Sequence, residues 1–465
     1  MKTRLLLLLS VAILLTSNTV SATHINGGYI SYKVDPQNPL KYSFKFTLFE
    51  NDKSNADEST VEIGMGNLTT VRVPKTISIP YLNNTSIEIF EWEYTYAAPG
   101  NYVVSWKGIN RNPGILNVTP PSDQLTFFVY TQVQPRLTPQ NRHSIKTIIP
   151  APLEAFTGEP FKMNMIAYDA DGDKLTYELV PPQHIDQNSI PQNLPGYQFP
   201  VGLHINKFGE LHWQNPTVKG ENVIAVKVTE YKDNQAVGYT IVDMQLRVKD
   251  RVHEPIVKLL NKDRLTINYD GSVYAKPEQQ LKLEFFVDKA PNSTNPLYAK
   301  QFSDLDTLDL ATPEFAARDS ANGLAVTLRL TPAISIARNQ PYIIGLRGAS
   351  EIETNPSSRN QFAYGWDFVN VYIGAQQPTS SGDLADNVRV QLYPNPASGK
   401  FIVEGDDLNN AQLKVFNSNG KHVFTSNLAA GRNLLKRPAQ VAAGVYVFHI
   451  VKRGKIIKTG RLVLE

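Results

Sequence analysis

The feature that most constrains this chain is a two-residue alternation of apolar and polar side chains, repeated in short runs along most of its length. In Tyr42-Ser43-Phe44-Lys45-Phe46-Thr47-Leu48 the large apolar residues occupy every second position. An extended backbone sends successive side chains to opposite faces, so such a run has one face for a core and one for solvent. Runs of the same kind recur at 71–79, 86–96, 102–106, 125–133, 161–168, 175–179, 222–229, 239–248, 280–287, 324–330, 341–346 and 362–373. Turn residues separate them, as in Ala97-Ala98-Pro99-Gly100-Asn101, and no long amphipathic helical period intervenes. The expected fold class is all-β, with tandem β-sandwich domains. The chain has no cysteine, so these sheets must be held by packing or by ions and not by disulfides.

The two ends differ from the body. Met1-Lys2-Thr3-Arg4 followed by the apolar run Leu5 to Leu15 and small residues up to Ala22 has the layout of a secretory signal peptide, with cleavage expected after Ala22. That run is too short to span a bilayer, which takes about 20 apolar residues, and no later stretch is longer, so no transmembrane segment is expected in the mature chain. Proline-bearing and polar junctions divide the rest into a first domain at 23–140, a second at 148–250, a third at 251–376, a linker at 377–387 and a last domain at 388–465. From Val388 onward twelve Lys/Arg face four Asp/Glu, a net +8, whereas residues 23–387 hold 32 against 39, a net −7. A mildly acidic body lacks the basic footprint that phosphate binding needs, which excludes nucleic acid as an expected partner.

The last domain opens on Tyr393-Pro394-Asn395-Pro396-Ala397-Ser398-Gly399. It continues through a strand, the turn Asn417-Ser418-Asn419-Gly420 and a returning strand, then Gly444-Val445-Tyr446, and closes with a hairpin turning at Lys452-Arg453-Gly454-Lys455. In this order the elements resemble the carboxy-terminal sorting domain of the type IX secretion system of Bacteroidetes-type bacteria. The resemblance implies a cargo that engages the type IX secretion machinery and ends secreted or attached at the surface of a Gram-negative cell, the sorting domain being removed. His24-Ile25-Asn26-Gly27-Gly28-Tyr29-Ile30-Ser31-Tyr32 and Pro121-Ser122-Asp123 resemble the first module of gliding-associated surface proteins of the same bacteria, without the cysteines usual there. Asp169-Ala170-Asp171-Gly172-Asp173 with its flanking strands, Gly202-Leu203-His204-Ile205 and Gly209-Glu210-Leu211-His212-Trp213 resemble cadherin- and dystroglycan-like immunoglobulin folds. The third domain resembles no family.

Chemistry is most legible in the acidic turn. Asp169, Asp171 and Asp173 alternate, so their carboxylates lie on one side of a gently turned chain, and three such charges repel one another unless a hard cation joins them. The spacing is not that of an EF-hand, since Lys174 stands where that loop needs Gly and Val180 where it needs Glu. The cadherin-like resemblance implies structural Ca²⁺ with help from another loop, for which Glu230 or Asp233 is available, although Val252 breaks the family's closing Asp-x-Asn element. Trp92, Tyr94 and Tyr96 share one strand face, which is either a sugar-stacking platform or core. No zinc-protease, serine-hydrolase or phosphate-loop motif occurs, and no catalytic residue is assigned. The expectation is a non-enzymatic, adhesin-like or structural surface protein, with a surface polysaccharide or an extracellular glycan or protein as ligand. The alternative is a polysaccharide- or peptide-degrading hydrolase with its site in 251–376.

Overall fold

The computed structural model describes residues 25–464, apart from 53–57, 82, 150, 251–254, 269, 290–292, 354–360, 375–389 and the single residues and short turns 394, 396, 406–407, 418–420, 439 and 453–454. The signal peptide, His24 and the linker at 377–387 lie outside the described residues. The chain is all-β, as the alternation requires, and it divides into two compact units.

The first unit is built on a sheet of thirteen strands. Ile25–Val34, Lys41–Asn51, Thr85–Thr95, Thr70–Pro80, Thr60–Gly64, Tyr102–Gly108 and Phe127–Val133 follow one another across it. Tyr42, Phe44, Phe46 and Leu48 are all buried, and Phe46 lies between Phe90 at 5.7 Å and Trp106 at 4.8 Å. The sheet does not end with residue 140. Gln235–Lys249 pairs with the first strand through Gly27↔Met244 and Gly28↔Asp243, and with Phe127–Val133 through Thr240↔Thr131, so the path of strands returns on itself. The same strand pairs along its length with Gly220–Lys232 and, in parallel, with Leu153–Phe156. The stretches 23–140 and 148–250, separate in the sequence reading, thus share one sheet in the structure. The physical cause lies in the length of the strand and in two residues without side chains. Fifteen residues are enough to serve partners on both sides, and a Cβ on Gly27 would stand 2.7 Å from the Asp243 carbonyl oxygen.

The third region forms two four-stranded sheets. One has the order Ile256–Leu259, Leu281–Asp288, Gly323–Leu330, Glu314–Ser320, and the other Val273–Ala275, Gln361–Ile373, Tyr342–Glu353, Leu297–Ser303. Phe285, Val326, Tyr342, Leu346 and Val371 fill the core of this region. Asp304, buried at its margin, receives the Ile343 N–H at 2.7 Å and an Arg338 Nη2–H at 2.5 Å, while the same guanidinium lies 3.6 Å from the centre of the Tyr342 ring. In the last domain Val390–Tyr393, Lys400–Gly405 and Gly431–Lys436 form one sheet, and His422–Leu428, Ala411–Phe416, Gly444–Lys452 and Lys455–Leu464 another. Asn395 explains part of its opening motif: its Oδ1 accepts the Val463 N–H at 2.8 Å, and the Ala397 N–H donates to the Val463 carbonyl at 2.9 Å, which ties the lead-in to the last strand.

Replacing Gly27 with valine should force the first strand away from Gln235–Lys249. Overpacking of this kind costs roughly 1–3 kcal/mol, and a urea melt of the mature chain should show the loss. A neutral result would mean that the junction between the two stretches yields without cost.

Candidate functional site: a buried carboxylate cage

The acidic turn begins where the short strand Ala167–Tyr168 ends and stops where Lys174–Val180 starts. Gly172 has φ of +78°, a left-handed conformation that a residue without Cβ adopts freely, and the reversal there folds the turn back on itself. The Asp173 N–H donates to Asp169 Oδ2 at 2.7 Å, and one carboxylate oxygen from each of Asp169, Asp171 and Asp173 lies within 4.8 Å of the others. The alternation therefore does bring the three side chains together.

Their surroundings differ. Asp171 is held by the N–H groups of Arg142 at 2.6 Å and His143 at 2.8 Å and by His143 Nδ1 at 2.8 Å. Burial raises its pKa, but these donors together outweigh burial and leave it lowered. Asp169 and Asp173 face inward, at 4% and 8% exposure. Burial, and then the charges of Asp171 and Asp173, push Asp169 up to about 7, and burial raises Asp173. Glu230 stands on the strand Gly220–Lys232 and not in the loop after Thr229, where the sequence had placed it, and its exposure is 0%. Burial drives its pKa well above the usual carboxylate range, and Asp169 adds to the rise. The Asn141 amide tempers that rise, and its Nδ2 also donates to the Tyr32 hydroxyl at 3.4 Å; neither Glu230 oxygen has a partner in hydrogen-bond geometry. Asp233, the other candidate, sits at φ +49° in the tight turn after that strand, is exposed, and acts on Asp173 only through its charge.

Five acceptor oxygens in this region are buried and unpaired: Asp169 Oδ1, Asp173 Oδ2, both Glu230 Oε atoms and Asn141 Oδ1. Buried acceptors without donors are costly and rare, and several on neighbouring residues form a donor set for a hard cation. Gly238, opposite Glu230 on the neighbouring strand, keeps the space open, since a Cβ there would lie 2.9 Å from Glu230 Oε2 and 3.0 Å from Asn141 Nδ2. Asn141, His143, Tyr32 and Gly238 were not found from sequence. No spacing rule links them to residue 169, because strand pairing and not local chain direction delivers them.

The aromatic face Trp92-Tyr94-Tyr96 is core. Trp92 stacks on Phe44 at 5.1 Å with planes 11° apart, Tyr96 is 1% exposed, and Tyr94 packs against the same cluster. A second aromatic group, missed in the sequence, lies on the third region. Ile344, Leu346, Val369 and Val371 point into its core, so alternation turns Arg347, Tyr364, Trp366 and Phe368 to the opposite face. There the Arg347 guanidinium stands 5.2 Å from the Tyr364 ring centre and 5.5 Å from that of Trp366, with Phe302 5.4 Å from Trp366. Phe302 lies over Gly345, where a Cβ would come within 2.2 Å of its ring. Arg347, Tyr364 and Trp366 are half-buried, and Tyr298 on the neighbouring strand is 49% exposed.

The chain is a multidomain all-β protein whose carboxy-terminal domain holds, among the described residues, one sheet of three strands and one of four. Residues 391–465 match the family described as the secretion system C-terminal sorting domain. The chain is a cargo of type IX secretion and is delivered to the cell surface or the extracellular space. No helix among the described residues is long and apolar enough to cross a membrane. No curated protein matches the sequence. Among solved structures, the Bacteroides ovatus mixed-linkage glucan utilization locus SGBP-B in complex with a mixed-linkage heptasaccharide is 12% identical, with 69% of this chain and 70% of that one covered and a TM-score of 0.15. Sidekick-1 immunoglobulin domains 1–4 give 10%, 69%, 73% and 0.13, and human Protocadherin-24 EC1-2 gives 13%, 48%, 94% and 0.16. Scores this low say nothing about a shared ligand.

The raised pKa of Asp169 has a definite sign for stability. Without metal the folded state keeps its proton up to about pH 7, whereas the unfolded chain releases it near 3.8, so stability falls as pH rises through that interval. Asparagine at 169 removes the titration and keeps an acceptor for the Asp173 N–H. In chelator, the Tm of Asp169→Asn should match that of the wild type near pH 4 and exceed it increasingly toward pH 7, with no further gain above. Parallel Tm curves would show that the carboxylate is not buried in this way.

Proposed function

We propose that this chain is a non-enzymatic, adhesin-like binding protein of the cell surface, whose first unit is stiffened by a structural Ca²⁺ ion. The observation that carries the reading is the cage of unpaired oxygens. Asp169, Asp173 and Glu230 would supply the charged ligands, Asn141 Oδ1 a neutral one, and Asp171, anchored by His143 and Arg142, would fix the turn and add negative charge. Because Asp169 and Glu230 are almost without solvent exposure, these carboxylates are walled off from any polymer substrate. That favours a structural role over acid–base catalysis. The ion would supply charge neutralisation and ordering, and nothing else.

Binding that favours the native state stabilises it by RT ln(1 + [L]/Kd), about 4 kcal/mol at a thousandfold excess. Calcium should therefore raise the Tm of the mature chain by several degrees at pH 7.5 and by much less at pH 5, where protons compete for the same oxygens. Glu230→Gln should abolish most of the calcium response while leaving the chain folded in chelator. A Tm that is the same in calcium and in chelator at pH 7.5 would remove the ion from this account.

The ligand class best supported is a glycan, met on the Phe302, Tyr364 and Trp366 face of the third region. Aromatic rings on one sheet face can bury apolar area against the apolar faces of sugar rings, and the nearby guanidinium can donate hydrogen bonds to hydroxyls or uronates. Retention of the mature chain on a panel of insoluble polysaccharides should fall about tenfold in Trp366→Ala, with no sugar released into the supernatant. Release of sugar would favour the hydrolase alternative, and equal retention of the variant would move the ligand elsewhere.

A further inference from the structure

The strand Glu314–Ser320 ends one sheet of the third region, and each of its seven residues is exposed. It pairs with Gly323–Leu330 on one side, and among the described residues no strand pairs with the other. A strand with both faces and one edge in solvent presents a row of unpaired N–H and C=O groups, which is a template for another strand.

The side chains indicate which strand. Leu324, Val326 and Leu328 belong to the core and stand opposite Asp319, Ala317 and Phe315, so these three point to the core side of the sheet. Phe315 is nevertheless 39% exposed, an apolar ring at the open end of the core layer. Glu314, Ala316 and Arg318 point to the outer side, opposite Arg329, Thr327 and Ala325. Glu314 is engaged loosely by Arg329 at 3.6 Å, and Arg318 has no ion-pair partner among the described residues.

We propose that this edge pairs with the same edge of a second copy of the chain. Antiparallel pairing about a two-fold axis normal to the sheet keeps the core sides of both copies on one side, and side chains of like parity then stand opposite each other. If the axis passes through Ala316, Glu314 of each copy lies opposite Arg318 of the other, and Phe315 of each lies beside Ala317 of the other. One register thus forms two opposite-charge pairs on the outer face and covers both Phe315 rings on the inner face. An axis at Arg318 sets like charges against each other, and one at Ala317 places Phe315 against Asp319. Alternate residues of the strand already turn their N–H and C=O outward, as an antiparallel ladder requires. The contact is short, so the dimer is weak in solution and is favoured where many copies are held on one surface. This inference is independent of the calcium and glycan readings.

The test is sedimentation velocity of the mature chain from low to high micromolar concentration, with three variants of these exposed residues: Arg318→Glu, Glu314→Arg and the double reversal. Reversible monomer–dimer behaviour is expected. Arg318→Glu should weaken it about tenfold, since two cross-strand pairs change from attractive to repulsive. The double reversal should restore it, because each copy then presents arginine at 314 to glutamate at 318, and equal Tm values among the variants show that folding is unaffected. A chain that stays monomeric, or a dimer that is indifferent to Arg318→Glu or not recovered in the double variant, overturns the proposal.

Discussion

The first unit depends on the hydrogen-bonding capacity of a single strand, Gln235–Lys249. It ladders with Gly220–Lys232 along its whole length and still has N–H and C=O groups for Ile25–Val34, Phe127–Val133 and Leu153–Phe156. A strand paired this widely cannot leave the sheet without exposing backbone donors and acceptors of several neighbours at once. One of its side chains extends the constraint. Asp243, at the register position of Gly28, accepts from Arg111 Nη1 at 3.1 Å and Nη2 at 2.6 Å, and the same Nη2 donates to the Gln183 carbonyl at 2.9 Å. Both partners are nearly inaccessible to solvent. Burial raises the Asp243 pKa, and Arg111 lowers it in opposition. A buried pair of this kind is a weak source of net stability, but loss of one member strands the other, which makes it a strong selector of the correct strand arrangement.

The same strand supplies the rear of the carboxylate cage. Glu230 is opposite Gly238 and Leu175, so the ladder that fixes the sheet also fixes the depth at which this carboxylate is buried. The cage is the reverse of the Arg111 pair in its electrostatics. There a cation of the chain meets the buried acid; here the acids face one another, and the Tyr32 hydroxyl, itself raised by burial and by the charge of Glu230, can only help as a neutral donor. Lys232 draws Asp173 downward but does not overcome its burial. Such an arrangement persists in a fold either by holding protons or by holding a cation.

Much of this was legible in the sequence, for reasons that can be named. Tyr42 to Leu48 announced a half-buried strand because period two has no other economical reading, and Asp169, Asp171 and Asp173 announced convergence because they alternate across a turn containing Gly172. The sorting domain was legible because its signals are local: a proline-rich lead-in, a turn after Phe416 and a final basic hairpin. What escaped was set by contacts between distant residues. Gly27-Gly28 looked like part of a motif, and only the 2.7 Å approach of the Asp243 carbonyl shows why no side chain fits there. Trp92 and Trp366 are each flanked by an aromatic two residues away, yet one faces a core and the other the outside of a sheet. Alternation identifies a face without saying what covers it.

The charge distribution gives the cage a place in the life of an exported cargo. Residues 388–465 carry +8 and residues 23–387 carry −7, so the body taken apart from the sorting domain is acidic. Around Asp169 and Glu230, where burial holds both carboxyls above the usual carboxylate range, ionisation carries a high desolvation cost. Screening by salt acts weakly on buried charges, so ionic strength does little to relieve it. Extracellular calcium modules work at roughly 10⁻⁴–10⁻³ M, a range set by ligand charge and rigidity. A cage whose turn is already fixed by His143 and Arg142 would spend little ordering entropy on binding the proposed ion. The affinity of the proposed site would then be governed by how far the ion offsets the desolvation of Asp169, Asp173 and Glu230. The burial that makes the metal-free first unit less stable as pH rises toward 7 is the same property that would let a bound cation stiffen it.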